Sequence, residues 1–356
     1  MFRDREVAAN VVREICKLDP GRRIKIMHVC GSHEVTVTRY GLRSLLPNWI
    51  EVIAGPGCPI CVTTSAEIDE AVELAERGHI VTTFGDLFRV PGTRASLADA
   101  KTDGADVRII YGATDAVDVA RRNPGQDVVH VAIGFETTAP AIASELIRKP
   151  PPNFSLLVCH RLIPPAMEFL LASGEVALDG FLCPGHVSTI IGSEPYEPIS
   201  EKYEVPQVIA GFEPIDLLLG IWMLLKQVKD GRHDVEIEYT RSVRPEGNVL
   251  AQERMRQVFE VIDKPWRGFP VIPSSAFELG PDFKHFDARE RFDIHVEGSV
   301  DVARGCRCGE VLRGLVYPHE CQLFGKICTP LKPIGPCMVS SEGTCNIAFK
   351  YGRARP

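Results

Sequence analysis

Residues 24–36 read IKIMHVCGSHEVT, a short apolar run that leads into a cysteine, a glycine and then a polar stretch of helical character. The same arrangement recurs along the chain to about residue 230, and a short apolar run of this kind is typical of a buried strand. The eight runs are IKIMHV, WIEVIA, HIVTTF, VRII, VVHVAI, FSLLVC, DGFLC and PQVIAG. Amphipathic segments at 64–77, 140–148 and 214–229 lie between some of them. This alternation predicts an α/β protein with mostly parallel sheets and helices on both faces.

Two pairs of motifs resemble each other within the chain. CGSHEVT at 30–36 and CPGHVST at 183–189 share a Cys-x-x-His after a predicted strand, and IGFETTAP and AGFEPID share Gly-Phe-Glu before a predicted helix. We therefore expect two related parallel-sheet α/β domains that face each other across a cleft, followed by a small cysteine-rich domain. The expected boundaries are 1–125, 126–235 and 236–356. Beyond residue 230, DVEIEYTRSV predicts a strand and 246–262 predicts a helix.

Composition excludes several classes of protein. The 356 residues are 45% hydrophobic and 24% charged, with a net charge of −7, so a nucleic-acid partner has no support from the overall charge. No apolar run approaches the roughly 20 residues that a membrane span needs. The first 18 residues predict an amphipathic helix rather than a signal peptide, with Cys16 on its apolar face. We expect a cytoplasmic protein that does not associate with membranes.

Twelve cysteines in a reducing compartment favour metal or redox chemistry over structural disulfides. Six of them lie between Cys306 and Cys345, in a stretch, 301–356, with eight Lys or Arg against four Asp or Glu. A basic module with six thiols favours an anionic iron–sulfur cluster, which takes four thiolates. Zinc is the rival, although Cys306 and Cys308 are too close in sequence for a zinc knuckle and the other gaps are wider; plain thiols are the third possibility. Spacing does not select four ligands from the six cysteines.

Three groups of residues follow predicted strands and could carry chemistry. Cys58-Pro59-Ile60-Cys61 could be a redox dithiol, half of a metal site or only a turn. Cys30-Gly31-Ser32-His33 could bind iron or zinc or form an activated nucleophile, and the alternative is a buried cysteine beside a surface histidine. Glu136 and His186 could carry protons or orient other groups, and Glu136 could instead cap a helix. Weaker candidates are Asp86, His160 and Glu213, while Cys159 and Cys183 are expected in the core.

HVCGSHEVT, GPGCPICV, GFETTAP, PGHVS and the cysteine-rich tail, in this order, resemble the HypD family of hydrogenase maturation factors. The resemblance runs from about residue 25 to 350. It implies a cytoplasmic α/β protein with a [4Fe-4S] cluster on Cys306, Cys321, Cys328 and Cys345, with Cys308 and Cys337 left over. It also implies a HypC-type chaperone as partner, with which the protein holds the iron of the Fe(CN)₂CO group of [NiFe] hydrogenases. A HypE-type protein would deliver the cyanides.

Position by position, the resemblance implies that Cys30 is the iron-site thiolate and that the chaperone supplies a second thiolate. His33 would lie beside this iron, and Cys58 and Cys61 would be a redox-active pair in the cleft. Glu136 and His186 match motifs that line the same region. Many relatives have a second histidine shortly after the first, but this chain has Glu34-Val35 there, which leaves a second imidazole without a counterpart.

The leading hypothesis is thus an assembly scaffold with redox steps rather than an enzyme that turns over a free substrate. The alternative is an iron–sulfur-dependent protein disulfide reductase, in which a cluster feeds electrons to Cys58 and Cys61. A reductase needs no further thiol at the neighbouring strand end, whereas an iron scaffold uses Cys30. A zinc-stabilised α/β binding protein is a third interpretation, and it would be colourless when purified without air.

Overall fold

Within residues 3–352, which the computed structural model describes, the chain forms eleven strands and seventeen α-helices. The strands are β1 Ile24–His28, β2 Ile50–Ala54, β3 Ile80–Phe84, β4 Val107–Ile110, β5 Val128–Gly134, β6 Phe154–His160, β7 Gly180–Pro184, β8 Gln207–Ala210, β9 Val235–Ile237, β10 Phe259–Pro265 and β11 Val271–Leu279. All eight apolar runs predicted as strands are confirmed as β1 to β8. Their side chains are mostly buried on both faces, as expected for parallel sheets covered by helices.

The helices fill the connections between these strands. They are α1 Arg5–Cys16, α2 Gly31–Arg39, α3 Leu42–Leu45, α4 Pro59–Val62, α5 Ser65–Glu76, α6 Leu97–Thr102, α7 Ala113–Arg122, α8 Ala139–Ile147, α9 Ile163–Ser173, α10 Gly185–Ile191, α11 Glu197–Tyr203, α12 Pro214–Asp230, α13 Val249–Val258, α14 Ala288–Phe292, α15 Cys308–Leu312, α16 Pro336–Val339 and α17 Thr344–Tyr351. The three predicted amphipathic segments correspond to α5, α8 and α12. Among these helices, none is long and apolar enough to cross a membrane.

Two parallel sheets organise the chain, which confirms the predicted fold class. Sheet A has the strand order β2-β1-β7-β8-β9, and sheet B has the order β4-β3-β5-β6. Each sheet draws strands from both of the segments expected as domains, 1–125 and 126–235, because the chain leaves sheet A after β2, builds sheet B and returns with β7. The two Cys-x-x-His motifs consequently follow neighbouring strands of one sheet, β1 and β7.

The strand order of each sheet reverses at one point. In sheet A the reversal lies between β1 and β7, and in sheet B it lies between β3 and β5. Ligands of open α/β sheets bind in the crevice outside the carboxyl ends of the strands at such a point. Cys30, Gly85, Phe135 and Gly185 lie one or two residues beyond the ends of these four strands. The topology therefore concentrates the predicted motifs where a ligand is expected.

The helix predicted over 246–262 is wrong at its carboxyl end. Helix α13 ends at Val258, and residues 259–265 form β10 of an antiparallel hairpin with β11. The alternation of apolar and charged residues in Phe259-Glu260-Val261 favours a strand. The hairpin packs on sheet B, where the Leu162 N–H donates to the Ser275 carbonyl at 2.9 Å.

The cysteine module, which we define as residues 306–345, contacts connections that follow strands of both sheets, including Asp86 after β3. Its helix α16 packs against α4, and the following α17 packs against α2. The same module therefore touches the helix that begins at Cys58 and the helix that begins at Cys30. A separate correction concerns Cys16, which is exposed on α1 rather than buried as predicted. Its neighbour Ile15 takes the buried position on that helix.

Candidate functional site

Cys30 lies two residues after β1 and is the residue from which α2 begins. The loop that follows β2 lies directly on it, since the Gly31 N–H donates to the Gly57 carbonyl at 3.0 Å. A Cβ atom at Gly57 would lie only 2.1 Å from the Cys30 nitrogen. Only glycine lets the two backbones approach this closely, so Gly57 is what places Cys30 beside the Cys58 loop.

Cys58 and Cys61 form a disulfide, with their Cα atoms 5.3 Å apart. Cys58 precedes α4, and Pro59 occupies its first position, where a missing N–H costs no hydrogen bond. Both cysteines are buried, but Pro59 between them lies in the wall of the adjacent cleft. The pair is thus held immediately beneath the cleft surface, and its redox activity stays a prediction.

The cleft has a volume of about 370 Å³ and opens where the two sheets meet. Its wall includes residues from the carboxyl ends of β1, β2 and β7 in sheet A, from the loop after β5 in sheet B, and from the cysteine module. These residues are Val29, Cys30, Ser32, Gly57, Pro59, Phe135, Thr137, Pro184, His186, Val187 and Glu342. The structure therefore brings Cys30 and His186 together beside the Cys58–Cys61 disulfide.

Glu342 is the functional candidate that the sequence did not reveal. Its carboxylate accepts a hydrogen bond from the Ser32 hydroxyl at 2.7 Å, and a Cβ atom at Gly31 would lie 2.4 Å from the Glu342 Cβ atom. Burial raises the pKa of Glu342, which the Ser32 hydrogen bond partly offsets. The only sequence signal is an isolated acidic residue among Ser340, Ser341 and Gly343, which is ordinary loop composition.

The surroundings of Cys30 favour a neutral thiol when no cation is present. Burial raises the pKa of Cys30 to about 12, and the Glu342 carboxylate adds to this effect. The Ser32 and His33 backbone N–H groups oppose it by hydrogen bonding to the sulfur. A bound metal cation would supply the positive charge that a thiolate lacks here, so metal binding and loss of the Cys30 proton would occur together.

The two histidines predicted near Cys30 take different positions. His186 is exposed in the cleft wall, and its ring stacks on Phe212 with the ring centroids 3.8 Å apart. His33 is fully buried, its Nε2 is 3.3 Å from the Ala210 carbonyl, and its ring packs on the same Phe212. Burial lowers the pKa of His33 to about 3, so this ring is neutral. His33 therefore supports the Phe212 ring beneath His186, and its predicted place beside an iron stays a prediction.

Glu136 lines a second, more apolar pocket on the other side of the loop after β5. One carboxylate oxygen accepts from the Ile163 N–H at 3.0 Å, at the first residue of α9. The other oxygen is buried and has no hydrogen-bond partner among residues 3–352. Burial raises the pKa of Glu136 to about 7. The sequence also allowed Glu136 to cap the helix that follows it. The structure shows a capping contact, but with the start of α9.

The weaker candidates have structural contacts. Asp86 accepts a hydrogen bond from the Ser341 hydroxyl at 3.0 Å, Glu213 pairs with Arg3 at 2.5 Å, and His160 is fully buried near Phe259. Cys159 and Cys183 are confirmed as buried.

All six cysteines of the cysteine module line one small apolar cavity. The residues of its wall are Cys306, Cys308, Val311, Cys321, Leu323, Phe324, Cys328, Gly335, Cys337, Met338 and Cys345. The four cysteines that the resemblance selects are therefore brought together, and Cys308 and Cys337 lie with them. A hydrogen bond from the Cys308 thiol lowers the pKa of Cys306 to about 6, which favours a thiolate.

A glycine and a backbone N–H group lie against cysteine sulfur atoms in this cavity. A Cβ atom at Gly335 would lie 2.9 Å from the Cys306 sulfur, and the Ile334 N–H points to the Cys328 sulfur at 3.3 Å. Backbone N–H donors directed at sulfur are typical of iron–sulfur sites. Among residues 3–352, no group of three His, Cys, Asp or Glu side chains is arranged to hold a single metal ion. A cubane cluster takes four thiolates, one for each iron, and a [4Fe-4S] cluster on four of these six cysteines stays a prediction.

Comparison with known proteins gives matches over nearly the whole chain. The family model HypD, described as the hydrogenase formation hypA family, matches residues 6–352. A relative in Methanocaldococcus jannaschii, named for hydrogenase expression or formation, is 52% identical over 354 residues, which cover 98% of each chain. Hydrogenase maturation factor HypD2 of Bradyrhizobium diazoefficiens is 46% identical, over 99% of this chain and 96% of the relative. HypD of Cupriavidus necator is 45% identical with the same coverage.

Similarity of this extent to proteins named for hydrogenase formation or maturation identifies the chain as a hydrogenase maturation factor. The matches extend over nearly the whole chain at 45–52% identity. The chain belongs to the HypD family.

Proposed function

We propose that this maturation factor is a scaffold on which the Fe(CN)₂CO group of [NiFe] hydrogenases is assembled. The iron is the cargo, held in the cleft by the Cys30 thiolate and by a thiolate of a HypC-type chaperone. The observation that carries the proposal is the convergence of Cys30, His186 and Glu342 in one cleft beside the Cys58–Cys61 disulfide. Each comes from a different part of the chain.

Iron binding requires that Cys30 lose its proton. Glu342 is placed to accept it, because its carboxylate acts on the Cys30 sulfur and bonds to Ser32 in the same turn of chain. The raised pKa of Glu342 improves its match to this task. His186, with a pKa lowered by burial, presents a neutral ring to the same space and can hydrogen-bond to an iron-bound ligand.

Cys58 and Cys61 are proposed to exchange electrons with the cleft. Reduction of their disulfide takes up two electrons and two protons and gives two thiols, and reoxidation returns the electrons to the ligand or iron in the cleft. When bound at Cys306, Cys321, Cys328 and Cys345, a [4Fe-4S] cluster supplies electrons one at a time. The packing of α16, which carries Cys337, against α4, which carries Cys61, supports this route.

Two partners complete the proposal. A HypC-type chaperone would dock at the mouth of the cleft to complete the iron ligands, and a HypE-type protein would donate the cyanides. The position of Cys30 in the wall of an open cleft supports access by both.

The same disulfide beside the cysteine module also suits a protein disulfide reductase. Such a reductase would use Cys58 and Cys61 but would leave Cys30 and Glu342 without a task, and for this reason we favour the scaffold.

An infrared spectrum of the protein purified without air together with its chaperone tests the scaffold. We expect bands of metal-bound cyanide and carbonyl that are lost in Cys30→Ala and kept in Cys16→Ala, a matched change at an exposed thiol. A brown protein that lacks these bands but reduces protein disulfides would support the reductase instead.

A further inference from the structure

The pocket that contains Glu136 is separated from the cleft by the loop after β5. Phe135 and Thr137 of this loop line the cleft, whereas Glu136 between them lines the second pocket. Residues of α9, α13 and the β10–β11 hairpin form much of the remaining wall. The volume of about 380 Å³ is within the usual range for a small-molecule site.

Most of this wall is apolar and comes from residues of restricted conformation. Phe259 and Phe277 stack on each other with ring centroids 5.2 Å apart, and Pro164 and Pro165 lie in the first turn of α9. Val261 on the same hairpin leaves 53% of its surface exposed. An apolar molecule can therefore bury its surface here, and few side chains must be ordered when it binds.

Among the described residues of this wall, one side chain is acidic and one is basic, and they lie at different depths. Glu136 is only 3% exposed, whereas Arg256 on α13 is exposed. Oε1 of Glu136 accepts from the Ile163 N–H at 3.0 Å, but the buried Oε2 has no hydrogen-bond partner among residues 3–352. A buried carboxylate oxygen without a donor is costly. The pocket is the open space beside Glu136, so a ligand can bring the missing donor.

We propose that this pocket binds a small zwitterion, with an apolar body, an ammonium group at its inner end and a carboxylate at its outer end. The ammonium donates to Oε2 of Glu136, the carboxylate pairs with Arg256, and the body packs on Phe259 and Phe277. A simple amine would leave Arg256 unpaired and add a second positive charge to the pocket. A simple carboxylate would bring no donor to Oε2.

This site does not depend on the proposed iron or cluster. It has a consequence for the cleft, because the loop that presents Glu136 to the pocket also supplies Phe135 and Thr137 to the cleft wall. A ligand that fixes Glu136 therefore also restrains this part of the cleft wall.

Isothermal titration calorimetry with three probes that share one aromatic ring tests the proposal. The probe 4-(aminomethyl)benzoate carries both charged groups, benzylamine lacks the carboxylate, and 4-methylbenzoate lacks the ammonium. The titrations are made at about pH 8, because burial raises the pKa of Glu136 to about 7 and the carboxylate must be ionised. We expect 4-(aminomethyl)benzoate to bind at least about tenfold more tightly than either of the others, since each charge-assisted contact adds affinity.

Two variants assign the two charged contacts. Glu136→Gln keeps an oxygen for the Ile163 N–H and should bind 4-(aminomethyl)benzoate no better than 4-methylbenzoate. Arg256→Met, a change at an exposed side chain, should bind it no better than benzylamine. Glu253→Gln is the matched control, because Glu253 is exposed on the same helix outside the pocket wall, and it should keep the wild-type affinity.

Hydrogen exchange with and without 4-(aminomethyl)benzoate locates the bound probe. Exchange should slow in residues 134–138 and 252–261. Slower exchange that leaves both segments unchanged would place the probe elsewhere and overturn the site. Equal affinity of the wild-type protein for the three probes, or no binding of any of them, would also overturn it, and that comparison does not require a variant to fold.

Discussion

At the scale of single residues, burial of ionisable side chains sets the chemistry around the cleft. Burial raises the pKa of Cys30 to about 12 and that of Glu136 to about 7, while it lowers that of His33 to about 3. All three groups are thereby shifted toward their neutral forms, as expected for side chains removed from water. A charge introduced here, such as a metal cation, interacts strongly because little water screens it.

Glu136 offers a direct test of this environment. Its raised pKa gives stability that is complete below about pH 4.5 and is lost as the pH rises through about 7. Glu136→Gln keeps an oxygen for the Ile163 N–H and removes the charge. The free energy of unfolding of Glu136→Gln minus that of the wild type should increase by about 2 kcal/mol between pH 5.5 and 8.5. One pKa unit corresponds to about 1.4 kcal/mol.

Urea unfolding at the two pH values measures this gain. Glu253→Gln, a change at an exposed carboxylate, is the control. A gain for Glu136→Gln that is the same at both pH values would show that Glu136 is not held neutral by burial.

Several site residues were predictable from the sequence, because residue type and position after a strand were both informative. Cys30 and His186 follow β1 and β7 and do line the cleft. Glu342 was not predictable, because its role depends on Gly31 letting a distant loop approach. The burial of His33 was not predictable, because it comes from contacts with the Ala210 carbonyl and the Phe212 ring, which are distant in sequence.

At the scale of elements, the contact between the loops after β1 and β2 controls the site. Gly57→Ala should destabilise the protein by about 3 kcal/mol, since its Cβ atom would strike the Cys30 backbone, which cannot rotate away as a side chain would. The same change should speed alkylation of Cys30, because the two loops must separate.

Thermal unfolding and the rate of thiol alkylation check this expectation. Gly125→Ala is the matched control, since a Cβ atom there meets nothing within 4 Å. Equal behaviour of the two variants would mean that the loop contact is unimportant for the site.

The elements themselves followed well from local pattern. Each apolar run of four to six residues gave one strand, because a strand buried on both faces needs no polar alternation. The boundary between α13 and β10 was missed, since the chain passes from helix to strand at Val258–Phe259 without an intervening turn residue. Local sequence marks such a boundary weakly because both elements accept valine and phenylalanine.

At the scale of the whole molecule, the cysteine module is followed by α17, which packs on the helix that begins at Cys30, and its helix α16 packs on the helix that carries Cys61. If the six cysteines surround a cluster, removal of iron by a chelator should loosen residues 306–345 and the first turns of α2 and α4. Hydrogen exchange there should accelerate by about tenfold or more, while β5 and β6 in sheet B should keep their protection. Mass spectrometry of the exchanged peptides measures this, and uniform protection before and after iron removal would argue against a structural role for the metal.

The partition of strands between the sheets was beyond prediction from the sequence. Pairing of β1 with β7 joins residues about 150 positions apart, and no local pattern records such a partner. The repeated Cys-x-x-His motif did point to a relation between these two strands, which are neighbours in sheet A.

The interleaved path of the chain has a consequence for synthesis on the ribosome. When β1 and β2 leave the exit tunnel, their neighbour β7 has yet to be translated, because all of sheet B is encoded in between. At about 5–20 residues per second, sheet A waits roughly ten seconds for β7. Sheet B is complete first, Cys30 gains His186 once β7 and α10 have emerged, and it gains Glu342 only with the last tenth of the polypeptide. A nascent chain therefore has no finished cleft until almost all of the polypeptide has been made.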